Sequence, residues 1–131
     1  MLDKKKLSDQ QWKENLTPEQ YEICRNKGTE PPFSGEYLNT NATGTFLCMC
    51  CGNALFHSEK KFDSGTGWPS FWDPIDIQSI STQKDLSVAA VRTEVLCKQC
   101  DSHLGHVFED GPQPTGLRYC INSVSLKLEE D

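Results

Sequence analysis

Two Cys-x-x-Cys motifs constrain this chain more than any other feature. Cys48 and Cys51 form the first motif, Cys97 and Cys100 form the second, and residues 52–96 lie between them. A tight turn at this spacing aims two sulfurs at one ion, so the two motifs predict one tetrahedral Zn²⁺ site per chain. Four thiolates leave no open position for water, so we expect a structural metal that clips distant segments together.

Two alternatives to zinc are open. The thiols are unligated, or one motif is a redox pair of the kind that follows a strand and opens a helix. Two motifs in a context of strands and turns favour zinc over both. Within the first motif, Cys50 adjoins Cys51 and is a second choice of ligand, although the spacing favours Cys48.

Composition disfavours several classes of partner. Thirteen Lys+Arg against nineteen Asp+Glu give a formal net charge of −6, which disfavours binding to nucleic-acid backbones. No stretch approaches the ~18 apolar residues of a membrane span, and the amino terminus lacks an apolar segment after its lysines. We therefore expect a cytoplasmic protein without membrane contact. Seven cysteines, an odd number, disfavour a disulfide scaffold in that compartment.

The order of elements predicts a single domain over residues 1–131, mainly β with antiparallel sheets. Capping-box sequences at Ser8 and Thr17 predict two short helices in a helical N-terminal segment, residues 1–27. Short runs of β-branched and aromatic residues then predict strands in a β core over residues 45–128. These runs are TFLC, ALFH, IDIQSI, SVAAVRTEVL, HLGHVF and LRYCINSVSLKL.

Outside the two motifs, the chain has three further thiols, at Cys24, Cys50 and Cys120. Strand alternation places Cys120 on one face with Arg118 and Asn122, whereas the opposite face is apolar and core-like. A neighbouring cation favours the thiolate form, which makes Cys120 the candidate nucleophile. The apolar pattern changes phase just after Asn122, which predicts a bulge or break of the strand there.

Two other stretches supply candidates. His103 and His106 lie in SHLGHVFEDGP, and in a regular strand their side chains point to opposite faces, so one of them would face Cys120 directly. A packing role is the alternative for each. The loop FDSGTGWPSFWDP presents two tryptophans, and Trp68 is the better held because glycine and proline flank it. This loop predicts an aromatic wall of an apolar pocket.

In its cysteine motifs, its tryptophan loop and the segments around His103 and Cys120, the chain resembles the methionine sulfoxide reductases of the B type, the family specific for the R epimer. The resemblance implies two antiparallel sheets and a structural zinc on the four cysteines of the two motifs. It also implies reduction of methionine-R-sulfoxide to methionine, in oxidised proteins and as the free amino acid. The matching segments are GTEPPFSGEYL, CMCCGNALFHSEKKFDSGTGWPSF, CDSHLGHVFEDGPQPTG and RYCINSVSL.

The resemblance also implies roles for single residues. Cys120 would attack the sulfoxide sulfur and become a sulfenic acid. Arg118 would favour the thiolate. The residues that would orient or protonate the oxygen are His103, His106 and Asn122. The substrate-binding residues would be Trp68, which holds the terminal methyl group, and Phe108.

One position departs from the family pattern. Many members carry a second cysteine in the SGxGWPSF segment, which resolves the sulfenic acid as a disulfide, but this chain has Thr66 there. Resolution would then come from Cys24, from Cys50 or from an external thiol. We expect Cys24, because oxidation of Cys50 would threaten the adjacent zinc ligand. Thioredoxin would recycle the disulfide, and we expect a monomer.

Two other functional classes compete with this hypothesis. One is a zinc-ribbon module without chemistry that binds a protein or nucleic-acid partner through its loops, since a fold does not by itself fix a function. The acidic net charge disfavours nucleic acid. The polar strand face at Cys120 disfavours that class, because a binding module does not require it. The other is a Cys/His/Asn hydrolase, for which the residue types suffice but nothing else in the sequence indicates acyl transfer.

Overall fold

The structure is a computed structural model that describes residues 8–86 and 92–130. This described part contains two α-helices, α1 (Asp9–Asn15) and α2 (Pro18–Cys24). Single 3₁₀ turns lie at Ser58–Lys60, Ile77–Ser79 and Ser123–Ser125. The strands are β1 (Gly44–Cys48), β2 (Ala54–His57), β3 (Lys61–Phe62), β4 (Ser70–Phe71), β5 (Ile80–Asp85), β6 (Arg92–Cys97), β7 (His103–Phe108), β8 (Arg118–Ile121) and β9 (Leu126–Glu130).

Both predicted helices are confirmed, and each begins with a capping box. The Ser8 hydroxyl accepts from the Gln11 backbone N–H at 3.2 Å, and the Gln11 side chain accepts from the Ser8 N–H at 2.8 Å. Thr17 and Gln20 exchange the same two bonds at 3.1 and 3.0 Å. Pro18 occupies the first helical turn, where its missing N–H costs nothing. Each cap contributes about 1 kcal/mol to helix stability.

The strands form two antiparallel sheets, which confirms the predicted fold class. One sheet has three strands in the order β2-β1-β9, and the other has six in the order β3-β4-β8-β7-β6-β5. Aromatic rings join the sheets: Phe56 of β2 stacks on Phe71 of β4 at 4.4 Å between centroids, and Phe46 of β1 meets Phe71 edge-on at 5.2 Å. All three rings are fully buried. This aromatic contact fixes how the small sheet sits on the large one.

The predicted break after Asn122 is confirmed, and it has a larger consequence than a bent strand. The 3₁₀ turn Ser123–Ser125 separates β8 from β9. These two strands then enter different sheets, β8 beside β7 and β9 beside β1. The run LRYCINSVSLKL therefore crosses from the sheet that carries Cys120 to the sheet that carries Cys48.

One predicted strand is wrong. IDIQSI was expected to be extended, but its centre is the 3₁₀ turn Ile77–Ser79 and β5 begins only at Ile80. The Asp76 carboxylate accepts from the Gln78 N–H at 2.8 Å, and this local bond competes with a strand ladder. Ile75 and Ile77 are also exposed, so the apolar residues of this run do not form a buried strand face.

Some sequence predictions fall beyond the described part or beyond what periodicity can detect. Residues 1–7 of the predicted helical segment and residues 87–91 of the run SVAAVRTEVL lie outside the described residues, and β6 begins at Arg92. The two-residue strands β3 and β4 are too short to give an alternating pattern.

The division of one domain into a helical segment and a β core stays a prediction. Within the described ranges, no helix has both the length and the apolar character needed to cross a membrane.

Candidate active site and metal centre

The two Cys-x-x-Cys motifs converge on one point. The Sγ atoms of Cys48, Cys51, Cys97 and Cys100 all lie within 4.8 Å of one another. The Cys48 and Cys100 sulfurs are 3.6 Å apart, and those of Cys51 and Cys97 are 3.5 Å apart. A tetrahedral zinc with Zn–S bonds near 2.3 Å requires sulfurs about 3.8 Å apart. The four thiols therefore fit a tetrahedral metal ion, and they would clip the end of β1 to the turn after β6.

Each motif is shaped by the same tight turn. The Gly52 N–H donates to the Cys48 carbonyl, and the Asp101 N–H donates to the Cys97 carbonyl, both at 2.8 Å. The residue that closes each turn has a positive φ, 81° at Gly52 and 62° at Asp101. Glycine adopts this backbone freely, and aspartate is among the side chains that tolerate it best. Local backbone geometry thus orients the sulfurs within each motif.

The candidate nucleophile lies beside a separate cavity of about 260 Å³. The structure brings six of the predicted site residues to its wall, which are Trp68, His106, Phe108, Arg118, Cys120 and Asn122. A larger groove of about 680 Å³ runs between residues 38–43 and 58–63, but its described lining includes no cysteine, histidine or tryptophan. Of these two cavities, only the smaller one combines a half-buried thiol with aromatic and cationic side chains among its described lining residues.

Arg118 places a fixed positive charge beside the Cys120 sulfur. Its Nη1 donates to Cys120 Sγ at 3.5 Å. Its Nε and Nη2 donate to the two oxygens of Asp110 at 2.9 and 3.1 Å, which is the bidentate geometry that holds a guanidinium in one plane. The same guanidinium stacks on Phe108 at 4.4 Å from the ring centroid. Hydrogen bonding to Asp110 raises the pKa of Arg118, so this charge is permanent.

His106 is the imidazole that faces the cavity. It lies directly opposite Cys120 in the pairing of β7 with β8. Its Nε2 and the Asp85 Oδ2 form a hydrogen bond of 2.7 Å, and Arg92 donates to the same oxygen at 3.0 Å. The Asp85 carboxylate fixes the orientation of the His106 ring. It also favours a proton on Nε2, the nitrogen that faces β5. His106 can therefore present its other ring nitrogen to a ligand.

His103 lies behind His106 and does not line the cavity. It is 2% exposed, and its Nδ1 forms a 2.7 Å hydrogen bond with the Glu94 carboxylate. Lys27 and Gln83 donate to the other Glu94 oxygen at 3.1 and 2.8 Å. Burial lowers the pKa of His103, which favours the neutral ring. The geometry gives this histidine a packing and hydrogen-bonding environment unlike that of His106.

The two histidines share one side of the strand, which the regular alternation of β7 would not allow. Their rings meet edge-on with centroids 5.5 Å apart. The register between β6 and β7 shifts between Val95 and Leu96, so that β7 accommodates Leu104 as an extra residue. An extra residue of this kind turns the following side chains to the other face. The irregularity therefore stacks one ring behind the other.

Asn122 and Trp68 are held by the backbone of one residue, Glu30. The Glu30 N–H donates to Asn122 Oδ1 at 3.0 Å, and the Trp68 indole N–H donates to the Glu30 carbonyl at 3.0 Å. Asn122 Nδ2 also donates to the Leu104 carbonyl at 3.1 Å. The amide nitrogen carries a second hydrogen that can point to a ligand. Both side chains are therefore fixed before any substrate binds.

Comparison with known proteins identifies the family. A family model described as SelR domain matches residues 16–130. This chain belongs to the SelR domain family. The peptide methionine sulfoxide reductase MsrB of Hahella chejuensis is 60% identical over 127 residues, which cover 97% of this chain and 91% of that protein. The protein of the same name from Acinetobacter baylyi is 55% identical over 130 residues, which cover 99% and 94%. The resemblance to the B-type reductases is thus confirmed.

Cys24 of this SelR-domain protein lies apart from the cavity. It is 2% exposed, donates to the Ser125 hydroxyl at 3.7 Å and contacts Cys50. The hydrogen bond with Cys50 and burial raise the pKa of Cys24 above its usual range, which favours the thiol over the thiolate. Cys50 in turn is not among the four clustered thiols, so the geometry selects Cys48 as the member of the metal centre.

Sequence reasoning did not assign four residues of the cavity wall, which are Thr29, Thr66, Arg92 and Gly105. Gly105 carried a usable signal, because glycine inside a strand often marks a close approach of another backbone. A Cβ at this position would overlap the Cys120 carbonyl oxygen. Thr66 was noted only for the cysteine it replaces. Nothing in the sequence pattern around Thr29 or Arg92 distinguishes them from surface residues.

Proposed function

We propose that this SelR-domain protein is a peptide-methionine (R)-S-oxide reductase with Cys120 as its nucleophile. One observation carries the proposal: a half-buried thiol lies 3.5 Å from a guanidinium, in a cavity walled by Trp68 and Phe108 and faced by His106. The relatives from Hahella and Acinetobacter are named peptide methionine sulfoxide reductases, which supports the same activity here.

The reaction moves one oxygen atom from methionine to Cys120. The thiolate attacks the sulfoxide sulfur and forms a transient S–S bond, while the sulfoxide oxygen takes up one proton. The oxygen then bonds to Cys120 Sγ as its bond to the methionine sulfur and the S–S bond both break. The products are methionine and the sulfenic acid of Cys120. In our proposal Arg118 stabilises the thiolate. His106 in its doubly protonated form, with its Nε2–H held by Asp85, supplies the Nδ1 proton to the departing oxygen. His103 acts behind it by fixing the position of the His106 ring.

The cavity also gives a reason for selectivity between the epimers. We propose that the terminal methyl group packs on the Trp68 indole while Asn122 and His106 meet the oxygen. Exchange of methyl and oxygen at the tetrahedral sulfur would put a polar group against the indole and leave the donors without a partner. Buried polar groups left unpaired are costly, so the S epimer should react poorly.

Resolution of the sulfenic acid has two candidate routes. For the predicted internal route, Cys24 must reach Cys120, and α2 must move for this to happen. Cys24 contacts Ser125, which donates to the His103 carbonyl, whereas Cys120 pairs with His106 three residues further along β7. Three strand residues span roughly 10 Å, well beyond the reach of a disulfide. Attack by an external dithiol on the cavity needs no such movement.

Mass spectrometry after one turnover without reductant decides between these routes. A peptide that cross-links Cys24 to Cys120 supports the internal route. A sulfenic acid that persists on Cys120 until a dithiol is added supports the external route. The matched variant Cys24→Ser should lose thioredoxin-dependent turnover under the internal route and keep it under the external one.

We further propose that the four clustered cysteines bind one structural Zn²⁺. The distances between their sulfurs fit tetrahedral coordination, and the chemistry of four thiolates favours zinc. When bound, the metal supplies rigidity between the two sheets and takes no part in the reaction, since four thiolates complete its coordination. Metal analysis of the purified protein should give one zinc per chain.

The partners and setting follow from the same chemistry. We propose that the protein acts as a monomer on oxidised proteins in the cytoplasm and is recycled by thioredoxin. The net charge of −6 makes nucleic acid an unfavourable partner.

A direct experiment tests the proposed function. The zinc-loaded protein is incubated with dithiol and either the R or the S epimer of a methionine sulfoxide peptide, and the methionine formed is measured. We expect turnover of the R epimer only, and none with Cys120→Ser. Equal turnover of the two epimers, or full activity of the variant, would contradict the proposal.

A further inference from the structure

Thr66 places a hydroxyl group against the sulfur of Cys120. Its Oγ1 lies 3.4 Å from Cys120 Sγ, as close as the nearest nitrogen of Arg118. The position matters because many family members carry a cysteine there, so the reaction scheme taken from the resemblance assigns this chain's threonine no role. A side chain that touches the reacting atom is nonetheless placed to affect its chemistry.

The hydroxyl of Thr66 is the first of three in a row. Thr66 Oγ1 lies 2.8 Å from the Ser64 hydroxyl, which lies 2.7 Å from the Ser70 hydroxyl. Ser70 is fully buried, and its hydroxyl can donate to the Trp68 carbonyl at 3.1 Å. A continuous chain of hydrogen bonds therefore joins the Cys120 sulfur to a backbone carbonyl.

The local sequence positions these three hydroxyl groups. Gly65 and Gly67 have φ angles of 73° and 96°, so the loop turns sharply on both sides of Thr66. The Asp63 carboxylate accepts from the Gly65 N–H at 2.9 Å and holds the first of these turns. Ser70 is fixed separately, because it pairs directly with Cys120 in the register of β4 with β8. The loop therefore carries the hydroxyls of Ser64 and Thr66, and β4 carries that of Ser70.

Each hydroxyl has one hydrogen to donate, so the chain can run in two directions. In one direction the thiol of Cys120 donates to Thr66, and the series ends with Ser70 donating to the Trp68 carbonyl. In the other direction Ser70 donates to Ser64, Ser64 to Thr66, and Thr66 to the sulfur. Only the second direction gives a hydrogen bond to a thiolate, and a bond to a charged acceptor is about twice as strong as a neutral one.

We propose that Thr66 is a catalytic residue of this chain whose hydroxyl donates a hydrogen bond to the Cys120 thiolate. The inference deepens the proposed function, on which its kinetic consequence rests. Rotation of three hydroxyl groups, without movement of the backbone, reverses the series of hydrogen bonds. In one direction the Cys120 thiol donates to Thr66, and in the other Thr66 donates to the Cys120 thiolate. Arg118 supplies charge on one side of the sulfur, and Thr66 supplies the directional donor on the other.

The test compares Thr66→Val, which keeps the shape without the hydroxyl, with Thr66→Ser, which keeps the hydroxyl. Thr82→Val is the matched control, because Thr82 is exposed on β5 and does not line the cavity. The first measurement is the rate at which iodoacetamide alkylates Cys120, followed by mass spectrometry from pH 5 to 9. The second is kcat and KM for a methionine-R-sulfoxide peptide with dithiol in excess.

We expect Thr66→Val to alkylate about 10-fold more slowly near pH 7 and to lose a similar factor in kcat with KM little changed. Thr66→Ser should restore both rates to within about twofold, and Thr82→Val should match the wild type. An unchanged alkylation profile in Thr66→Val would overturn the proposal. Equal losses in Thr66→Val and Thr66→Ser would also overturn it, because shape rather than the hydroxyl would then be responsible.

The two measurements separate this inference from the proposed function. Alkylation reports the thiolate without any sulfoxide. A wild-type protein that fails to reduce sulfoxides while Thr66→Val still slows alkylation would refute the reductase and keep the role of Thr66. Thermal unfolding of each variant shows whether it is folded, and Ser64→Ala, which breaks the chain one bond further away, should slow alkylation less than Thr66→Val.

Discussion

The four cysteines of the metal centre and the single Cys120 at the cavity have contrasting surroundings. At the metal centre Cys48, Cys97 and Cys100 are buried, and the thiols of the cluster face one another. At the cavity Cys120 is half-buried and faces a guanidinium and a hydroxyl. The same side chain is thus a ligand in one place and a candidate nucleophile in the other. The charge of the neighbouring groups and the exposure of the thiol decide which of these two roles a cysteine takes.

The largest effect should come from Cys120→Ser. A serine hydroxyl stays protonated near neutral pH and does not replace a thiolate nucleophile, so kcat/KM for methionine-R-sulfoxide should fall by about 1,000-fold or more. Zinc content and the thermal unfolding temperature should remain those of the wild type. A Cys120→Ser protein that lost its metal would show that the two places are not independent.

The reverse pattern is expected for Cys97→Ser, the same substitution made in the metal centre. Loss of one of four ligands should release the metal and lower the unfolding temperature by on the order of 10 °C. Metal analysis and calorimetry measure the two effects. Activity should fall only as far as the folded fraction falls, and retention of both metal and stability would break the comparison.

The two histidines repeat the contrast within one strand. His106→Gln should lower kcat by about 100-fold, as expected for loss of a group that transfers a proton. His103→Gln should instead destabilise the fold by about 2 kcal/mol, because it disturbs a buried hydrogen bond with Glu94. Steady-state kinetics and urea unfolding at pH 7 separate the two effects.

His57→Gln provides the control for the histidine pair. His57 lies outside the described lining of the cavity, and its Nδ1 accepts from the exposed Glu59 N–H. We expect it to change neither kcat nor stability appreciably. Equal losses of kcat in His103→Gln and His106→Gln would remove the distinction between a ring that faces the cavity and a ring that supports it.

The smallest effect should come from Glu30→Gln, behind the cavity wall. Glu30 is buried and its Oε2 has no hydrogen-bond partner within the described residues. Burial raises the pKa of Glu30 above its ordinary value of 4.5. The unfolded chain therefore ionises first as pH rises, and the free energy of unfolding should fall with pH from about 4.5 up to the raised pKa.

Glu30→Gln should remove this pH dependence and leave activity nearly unchanged, because Asn122 and Trp68 are held by the backbone of residue 30 and not by its side chain. The measurement is the difference between wild-type and variant unfolding free energies from pH 4 to 7. A difference that grew in the opposite direction would mean that the carboxylate is stabilised in the folded protein.

Local patterns in the sequence predicted much of the scaffold. The capping boxes at Ser8 and Thr17, the turns of the two cysteine motifs and the break after Asn122 all depend on residues within about four positions of one another. Backbone geometry links such neighbours directly. The strand predicted for IDIQSI was wrong for a related reason. The Asp76 side chain accepts a local hydrogen bond from the Gln78 N–H, and the hydrophobic pattern does not reveal such a bond.

The candidate site could be predicted only as a set of residues and not as an arrangement. The strand face of Arg118, Cys120 and Asn122 follows from alternation, and the structure places all three on the wall of one cavity. Which histidine reaches that cavity depends on a register shift between β6 and β7, and no local pattern marks the extra residue.

The sequence by itself determined that the two cysteine motifs could bind one metal, which thiol lies in a polar strand and how the helices begin. Only the tertiary structure decided that His106 and not His103 lines the cavity, that Thr66 contacts the Cys120 sulfur and that Cys24 contacts Ser125 and Cys50 away from the cavity. The physical reason is distance along the chain. Contacts between residues far apart depend on strand register, and a single extra residue in a strand changes which side chains meet.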